Sequence, residues 1–189
     1  MNHKLIALVS QKQIKEVIQD MELEKVLGLD GLTARVIKLC WKTVKKDIHK
    51  MVLKSQSYIK IGGGANSAFL ALISKEKGEI SFGIFRPISL CNISYNIIPK
   101  VIVNRLKVIF PILIPENQGG FDKGRQITDN LILVQEAIHS SLQRREKGMV
   151  VKLDLENAFD RVRHNFLFEV MQIFEFDFRF INWIKASIS

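Results

Sequence analysis

Apolar residues recur at helical spacing in several parts of the chain and predict amphipathic helices there. The first pattern begins after Gly31, steps every fourth position and predicts one continuous helix face: Leu32, Val36, Cys40, Val44, Ile48 and Val52. A second helix is expected over residues 94–110, provided that Pro99 lies in its first turn, with Pro111 and Pro115 at its end.

Two further helices are predicted in the second half of the chain. Thr128 or Asp129 can cap the first of them, because both side chains accept hydrogen bonds from free amides at a helix start. Their apolar faces have four residues each: Leu131, Val134, Ile138 and Leu142 in one, and Val162, Phe166, Val170 and Phe174 in the other.

Three short apolar runs predict strands. Residues 69–73 lead into a polar loop, and residues 80–85 form the expected return limb of a hairpin. Residues 149–155 form the third run, and a period of two places Val150, Lys152 and Asp154 on the same face. The glycine-rich segment 61–66 is interpreted as a connector. Strands mixed with helices, without a regular βαβ order, favour an α+β domain.

The charge balance points to a polyanionic partner. Lysine and arginine outnumber aspartate and glutamate by 28 to 19, which gives a net charge of +9. The alternative is a soluble basic protein without such a partner. Apolar runs fall well short of the roughly 20 residues that a membrane helix needs, so no membrane is expected. Cys40 and Cys91 show no metal-ligand spacing and are interpreted as reduced thiols in the core.

Two segments contain residues suited to phosphate chemistry. Asp154 falls at the end of an apolar run, where a buried carboxylate needs a cation, and Mg²⁺ prefers such oxygen ligands. The competing interpretation is an aspartate that caps the next helix. Arg86 precedes Pro87, and its planar guanidinium suits phosphate oxygens. A surface arginine before a turn is the simpler alternative.

Five segments in order resemble the successive blocks of reverse transcriptases from non-LTR (LINE-type) retrotransposons, in a plant-like branch. They are Gly-Leu-Asp-Gly-Leu at 28–32, Leu-Ile-Ser-Lys at 72–75, Phe-Arg-Pro-Ile-Ser-Leu at 85–90, the glycine-rich run at 118–130 and Lys-Leu-Asp with Ala-Phe-Asp at 152–160. The resemblance covers about residues 12–189. It implies part of a right-hand polymerase, with fingers at 12–145 and the start of the palm at 146–189.

The resemblance also implies roles for single residues. Asp154 matches the first catalytic aspartate, a ligand of two Mg²⁺ or Mn²⁺ ions, and Leu155 would offer its backbone carbonyl to one ion. Phe159 matches the aromatic gate under the incoming sugar. Lys75 and Arg86 match residues that grip the incoming triphosphate. The remaining two assignments place Gly124 and Arg125 along the template path.

The same resemblance implies partners and limits. An RNA template, a DNA primer and deoxynucleoside triphosphates are the expected partners, the nucleus is the expected location, and the oligomeric state is left open. The family's aromatic-Ala-Asp-Asp block is not found, so the chain is expected to be truncated and inactive alone. Several family residues are replaced, with Leu29 and Ser74 standing at proline positions, Ile84 at an acidic position, and Asp122 with Lys123 at an apolar-Pro pair.

Three alternatives remain open at this point. The chain could be a nucleic-acid-binding remnant without catalysis, or an unselected and poorly folded product of a decayed element. A related polymerase class, such as a group II intron maturase, is the third, although the Phe-Arg-Pro-Ile-Ser-Leu-Cys-Asn run at 85–92 favours the retrotransposon branch.

Overall fold

The computed structural model describes residues 2–23, 27–62, 64, 66–74, 85–115, 117–119, 124, 126–154 and 161–188. Helices precede and follow a two-stranded sheet in this part of the chain, which confirms a mixed α and β fold. The elements are α1 (Asn2–Ile6), α2 (Gln11–Gln19), α3 (Ala34–Leu39), α4 (Trp41–Tyr58), β1 (Ala68–Ser74), β2 (Phe85–Cys91), α5 (Ile93–Lys107), α6 (Phe110–Leu113), α7 (Ile127–Gln143), α8 (His164–Ile173) and α9 (Phe178–Ile188).

The chain divides into two compact units. Unit 1 combines Met1–Arg105 with Phe176–Ser189, and unit 2 is Leu106–Glu175. Unit 1 is therefore discontinuous in sequence, and α9 belongs to it together with α1 to α4, the sheet and α5 as far as Arg105. None of the helices in the described part of the chain has the length and apolar character needed to span a membrane.

Unit 1 contains an apolar core built from helices of both chain segments. Phe180 and Trp183 of α9 are almost fully buried, and their rings meet edge to face at 6.3 Å between centroids. Ile97 and Ile98 of α5 are fully buried as well. The indole Nε1 of Trp183 donates to the hydroxyl of Ser55 in α4 at 3.1 Å. Because a buried indole N–H needs an acceptor, this bond fixes α9 against α4.

A buried arginine ties four helices of unit 1 together. The guanidinium of Arg105 in α5 donates to the carbonyl of Leu5 at 2.7 Å and to Oε1 of Gln13 at 3.2 Å. It also lies over the ring of Trp183, 5.6 Å from the centroid. Burial lowers the pKa of Arg105, and Nε has no hydrogen-bond partner among the described residues. The positive charge is held by a carbonyl, an amide and a π face instead of a carboxylate.

The prediction of one continuous helix after Gly31 is wrong. The segment forms α3 and α4, which are separated at Cys40, and Thr33 caps α3 by accepting from the amide of Val36. Cys40 is exposed, so the interpretation of its thiol as part of the core is wrong. The buried residues of α3 are Ala34 and Ile37, which lie off the predicted stripe. A four-residue step advances about 400°, so a stripe at that spacing drifts about 40° per step and cannot stay on one face.

The predicted strand at residues 69–73 is confirmed within β1. Its partner begins at Phe85 and runs to Cys91, so the expected return limb at 80–85 contributes only its last residue, and residues 80–84 lie outside the described part. The strands are antiparallel, from Ala68 opposite Cys91 to Ser74 opposite Phe85. Arg86 therefore lies within a strand and does not precede a turn.

The predicted helix at 94–110 is confirmed as α5, but the conditions placed on its prolines are wrong. Pro99 is the seventh residue of α5 and lies beyond the first turn. Ile97, Ile98, Val101 and Ile102 around it are buried, and this packing outweighs the lost amide donor. The helix ends at Lys107, and Pro111 lies in the first turn of α6 instead of closing α5.

In unit 2, the predicted helices are present as α7 and α8, and few of their apolar side chains are buried. Asp129 takes part in capping α7 by accepting from the amide of Gln126 at 3.2 Å, while Gln126 is the N-cap in place of Thr128. The predicted apolar face of α7 is exposed, with 58% for Leu131 and 71% for Leu142. Within the described residues of unit 2, only Ile109 and Met171 are buried apolar side chains.

Candidate functional site

The β1–β2 hairpin presents the first candidate residue to solvent. Arg86 is the second residue of β2, is exposed and lies opposite Ile73 of β1. Pro87 follows it opposite Leu72, and its missing amide donor is tolerated because both strands of a two-stranded sheet are edge strands. The antiparallel register thus joins two of the sequence blocks, 72–75 and 85–90, in one surface element.

The end of this hairpin is anchored by Asn92, whose role the sequence did not reveal. Asn92 follows β2 and is 4% exposed. Its Oδ1 accepts from the amide of Asp30 at 2.9 Å, and its Nδ2 donates to the carbonyl of Gly64 at 3.0 Å. Three segments that are distant in sequence therefore converge on one side chain. A single polar residue between an apolar strand and an apolar helix was the only signal in the sequence.

Gly28 explains why the block at 28–32 begins with glycine. A Cβ on Gly28 would lie 2.6 Å from the backbone nitrogen of Asn92, which is closer than real side chains approach. The segment at 28–31 therefore packs directly against the end of β2, where Asp30 is held by Asn92. Three of the five sequence blocks meet around the hairpin and its base, all within unit 1.

Four of the residues predicted to act lie outside the described part of the chain: Lys75, Arg125, Leu155 and Phe159. Lys75 follows Ser74, the last residue of β1 and the partner of Phe85. The chain order thus puts Lys75 directly after the strand that pairs with Arg86. The roles assigned to these four residues stay predictions.

Asp154 lies in unit 2, and the prediction that it lies at the end of a strand is wrong. Residues 149–154 form neither helix nor strand, and Met149 and Leu153 are 87% and 86% exposed. An isolated strand without a partner is not stable in water, which is the physical reason for the difference. The carboxylate of Asp154 is exposed and makes no hydrogen bond or ion pair with the part of the chain that the structure describes.

The described residues do not complete a metal site at Asp154. No group of three or more histidine, cysteine, aspartate or glutamate residues that could hold a metal ion occurs among them. One exposed carboxylate provides the right donor atom for Mg²⁺, but a single such ligand cannot define a site. Glu156 and Asp160, the nearest acidic residues along the chain, lie outside the described residues.

The block at 118–130 is organised by its last residue. Asn130 in α7 donates from Nδ2 to the carbonyl of Asn117 at 2.9 Å, and a Cβ on Gly119 would come within 3.0 Å of that same nitrogen. Gly124 has φ of +92°, a backbone conformation that favours glycine. A contact with a template is not tested by this geometry, and the assignment of Gly124 to the template path stays a prediction.

A family model described as "Reverse transcriptase (RNA-dependent DNA polymerase)" matches residues 73–188 of this chain. The matched region begins in β1 and covers the hairpin strand with Arg86, the block at 118–130 and Asp154. The chain belongs to the reverse transcriptase family.

Named relatives of this reverse transcriptase chain come from mobile elements of animals. It is 29% identical over 94% of its length to the "Transposon TX1 uncharacterized 149 kDa protein" of Xenopus laevis, of which it covers 14%. It is 27% identical over 82% of its length to the "Probable RNA-directed DNA polymerase from transposon BS" of Drosophila melanogaster, covering 17%. The chain is also 26% identical over 89% of its length to the "RNA-directed DNA polymerase from mobile element jockey" of Drosophila melanogaster, of which it covers 19%.

This chain therefore spans less than a fifth of each of these relatives. The expected relationship to LINE-like elements is confirmed at the level of the domain and its named relatives. The plant-like branch and the assignment of residues 12–145 to fingers and 146–189 to palm are not tested, and they stay predictions.

Proposed function

We propose that this chain forms the nucleotide-gripping part of an RNA-directed DNA polymerase from a non-LTR retrotransposon of the plant-like branch. In this proposal residues 12–145 belong to the fingers and residues 146–189 to the start of the palm. The observation that supports it most directly is the hairpin. It carries an exposed Arg86 opposite Ile73, and β1 leads directly into Lys75 along the chain.

The proposed task of the hairpin is to bind and orient the triphosphate of an incoming nucleotide. Arg86 offers a planar fork of donors for two phosphate oxygens at once, and Lys75 adds a compact positive charge. Asn92 supports this role because it fixes the base of β2 to Asp30 and Gly64. A rigid base limits the positions that the guanidinium can take, and orientation of a reacting group is itself a large contribution to catalysis.

Asp154 is proposed as one ligand of the divalent ions that reverse transcriptases use, with Leu155 offering its carbonyl. Phe159 is proposed to pack under the sugar of the nucleotide, and Gly124 and Arg125 to lie along the RNA template. Because the described residues place one carboxylate at this position and contain no complete metal site, we assign no step of nucleotidyl transfer to this chain alone. The expected partners of the whole enzyme are an RNA template, a DNA primer and deoxynucleoside triphosphates.

The triphosphate site is tested by measuring the affinity of the chain for deoxythymidine triphosphate with Mg²⁺ by calorimetry. Arg86→Gln is expected to weaken binding about 10- to 100-fold, because a hydrogen bond to a charged group contributes about 1.5–3 kcal/mol. Arg144→Gln is the matched control, since Arg144 is also exposed and lies at the end of α7. Equal affinity in the wild-type chain and Arg86→Gln would contradict the proposed site.

A second measurement addresses the expectation that the chain does not polymerise alone. A primer-extension assay with Mg²⁺ or Mn²⁺ should show no incorporation above buffer. Templated extension that is lost in Asp154→Ala would overturn this expectation and would indicate that further carboxylates complete the site.

The alternative function is a nucleic-acid-binding remnant of a decayed element. The net charge of +9 favours binding of nucleic acid whether or not catalysis is retained. The remnant would bind RNA with little sequence preference and with steep salt dependence, and it would not bind deoxythymidine triphosphate through Arg86. Nucleotide affinity therefore separates the two proposals.

A further inference from the structure

The helix α4 carries a row of lysines that winds part of the way around its exposed surface. Lys42, Lys46, Lys50 and Lys54 recur every fourth residue and are all exposed. At 1.5 Å per residue the row extends about 18 Å along the helix axis, with a drift of about 40° per step. We refer to these four residues as the lysine row.

The lysine row has a cost, and the described residues of unit 1 do not offset it with ion pairs to these lysines. Like charges four residues apart destabilise a helix by about 0.2–0.5 kcal/mol per pair. Asp47 is the single acidic residue of α4, and none of the four lysines forms an ion pair with the part of the chain that the structure describes. Lys38, the lysine before the row, contrasts with them because its Nζ donates to the carbonyls of Gln19 and Met21.

Two open grooves lie on either side of the C-terminal part of the row. One encloses about 560 Å³ and is lined by Met51 and Ser55, and the other encloses about 570 Å³ and is lined by His49 and Leu53. Both grooves share Lys50 and Lys54. At 100° per residue, Met51 and Ser55 lie on one side of the shared lysines, and His49 and Leu53 lie on the other.

An exposed aromatic ring stands at the end of the row. Tyr58 is the last residue of α4, is 76% exposed and lines both grooves. Ile59 follows in the left-handed conformation, with φ of +52°, and turns the chain toward Lys60 in the first groove. A tyrosine ring beside a row of cations is the combination that single-stranded nucleic acids use, since the backbone follows the charges and a base stacks on the ring.

The residues between the lysines favour nucleic acid over a lipid surface. A helix that lies on a membrane presents large apolar side chains beside its cations. In α4, Ile48 and Val52 are buried in unit 1, and Met51 and Leu53 beside the row are half-buried, so none of these four apolar side chains is fully exposed next to the cations. A base pair hides the faces that Tyr58 could stack on, so a duplex uses this surface less well than a single strand.

We propose that the lysine row and Tyr58 form a binding surface for single-stranded RNA. The inference rests on the proposed function in one respect, because that function supplies an RNA template as the available polyanion. The surface is separate in sequence from the hairpin that carries Arg86, and it contributes phosphate and base contacts outside the triphosphate site.

The test is fluorescence anisotropy of a labelled twelve-nucleotide oligouridylate with the full chain. A variant with all four row lysines changed to glutamine is expected to bind at least about 10-fold more weakly at low salt. The slope of log affinity against log salt should fall by about 3, since each lost contact to a single strand contributes about 0.7. The matched control changes four other exposed lysines to glutamine, namely Lys12, Lys15, Lys107 and Lys147, so that both variants lose the same charge.

Tyr58 provides an independent readout. Tyr58→Ala should weaken RNA binding at least about 5-fold through lost stacking, and Tyr58→Phe should retain the affinity. Circular dichroism of each variant establishes that α4 is intact, so a folding defect is recognised directly.

Two outcomes would overturn the proposal. The first is an equal loss of affinity in the lysine-row variant and the matched control, which would show that RNA binding depends on net charge and not on the position of these lysines. The second is stronger competition by duplex DNA, single-stranded DNA or anionic vesicles than by unlabelled RNA. Failure of the proposed function is read separately, from the affinity of Arg86→Gln for deoxythymidine triphosphate.

Discussion

Units 1 and 2 have similar apolar patterns but differ in how much of that pattern they bury. In unit 1, α2 buries Ile14, Val17 and Ile18, and α9 buries five of its residues. In unit 2, α7 has a sequence about as apolar as that of α9, but Leu131, Ile132 and Leu133 are 54–68% exposed. An amphipathic pattern therefore shows which face of a helix can be buried. Whether that face is buried depends on a neighbouring surface that packs against it. Because burial provides most of the folding free energy, unit 1 is expected to be the more stable unit.

The largest expected effect comes from Trp183, which is 1% exposed in unit 1. Trp183→Ala should lower the free energy of unfolding by about 3–5 kcal/mol, since it leaves a cavity and removes the donor to Ser55. The matched change in unit 2 is Phe166→Ala in α8, where the ring is 61% exposed and the expected loss is about 0.5 kcal/mol. Urea denaturation followed by far-UV circular dichroism measures both. Equal losses would remove the distinction between the units.

A smaller effect is expected from Arg105, the buried cation of unit 1. Arg105→Met keeps the apolar stem but leaves the carbonyl of Leu5 without its 2.7 Å donor, and the expected cost is about 1–3 kcal/mol. Lys107→Met lies two residues further along α5 at an exposed position and should change stability by less than about 0.5 kcal/mol. The same denaturation experiment applies. If Arg105→Met leaves the free energy of unfolding unchanged or raises it, the buried guanidinium contributes nothing to the stability of unit 1.

The smallest expected effect concerns residues with positive φ after helix ends in both units. Ile59 follows α4 with φ of +52°, and Arg145 follows α7 with φ of +56°. Glycine suits this position, so Ile59→Gly should stabilise unit 1 by up to about 1 kcal/mol, because β-branched residues are strained there. Arg145→Gly should gain about half as much or less, since arginine is not β-branched. A thermal melt of each variant tests the order, and a lower midpoint for Ile59→Gly would contradict the strain.

Much of the local structure was predictable, because it depends on neighbours in sequence. The spacing of apolar residues located β1, α5, α7 and α8, and the block order indicated the family. The helices α1, α2 and α9 were not predicted, although Ser10 caps α2 with a reciprocal bond to Gln13 that the sequence could have suggested. Short or strongly mixed segments carry too few periodic positions for the pattern to decide.

The failures share a physical cause, which is that they depend on distant partners. Asn92 bonds Asp30 across 62 positions, and Arg105 bonds Leu5 across 100, so neither role has a local signature. The strand expected at 149–155 failed for the related reason that a strand requires a partner beside it. For the candidate site, the sequence located Arg86 and the block containing Asn92, but the anchoring of β2 could only be read from the fold.

The discontinuity of unit 1 has a consequence for the order of events during synthesis on the ribosome. The amide of Asp177 donates to Asn2 across 175 positions, and Trp183 reaches Ser55 across 128. Both bonds join residues of the first segment to residues that are translated after all of unit 2. The surface of the first segment that Phe180 and Trp183 will cover therefore stays exposed while the about seventy residues of unit 2 are added. Closure of such long loops is slow. A chaperone that covers apolar surface during this interval would act on unit 1, the unit that ends up better packed.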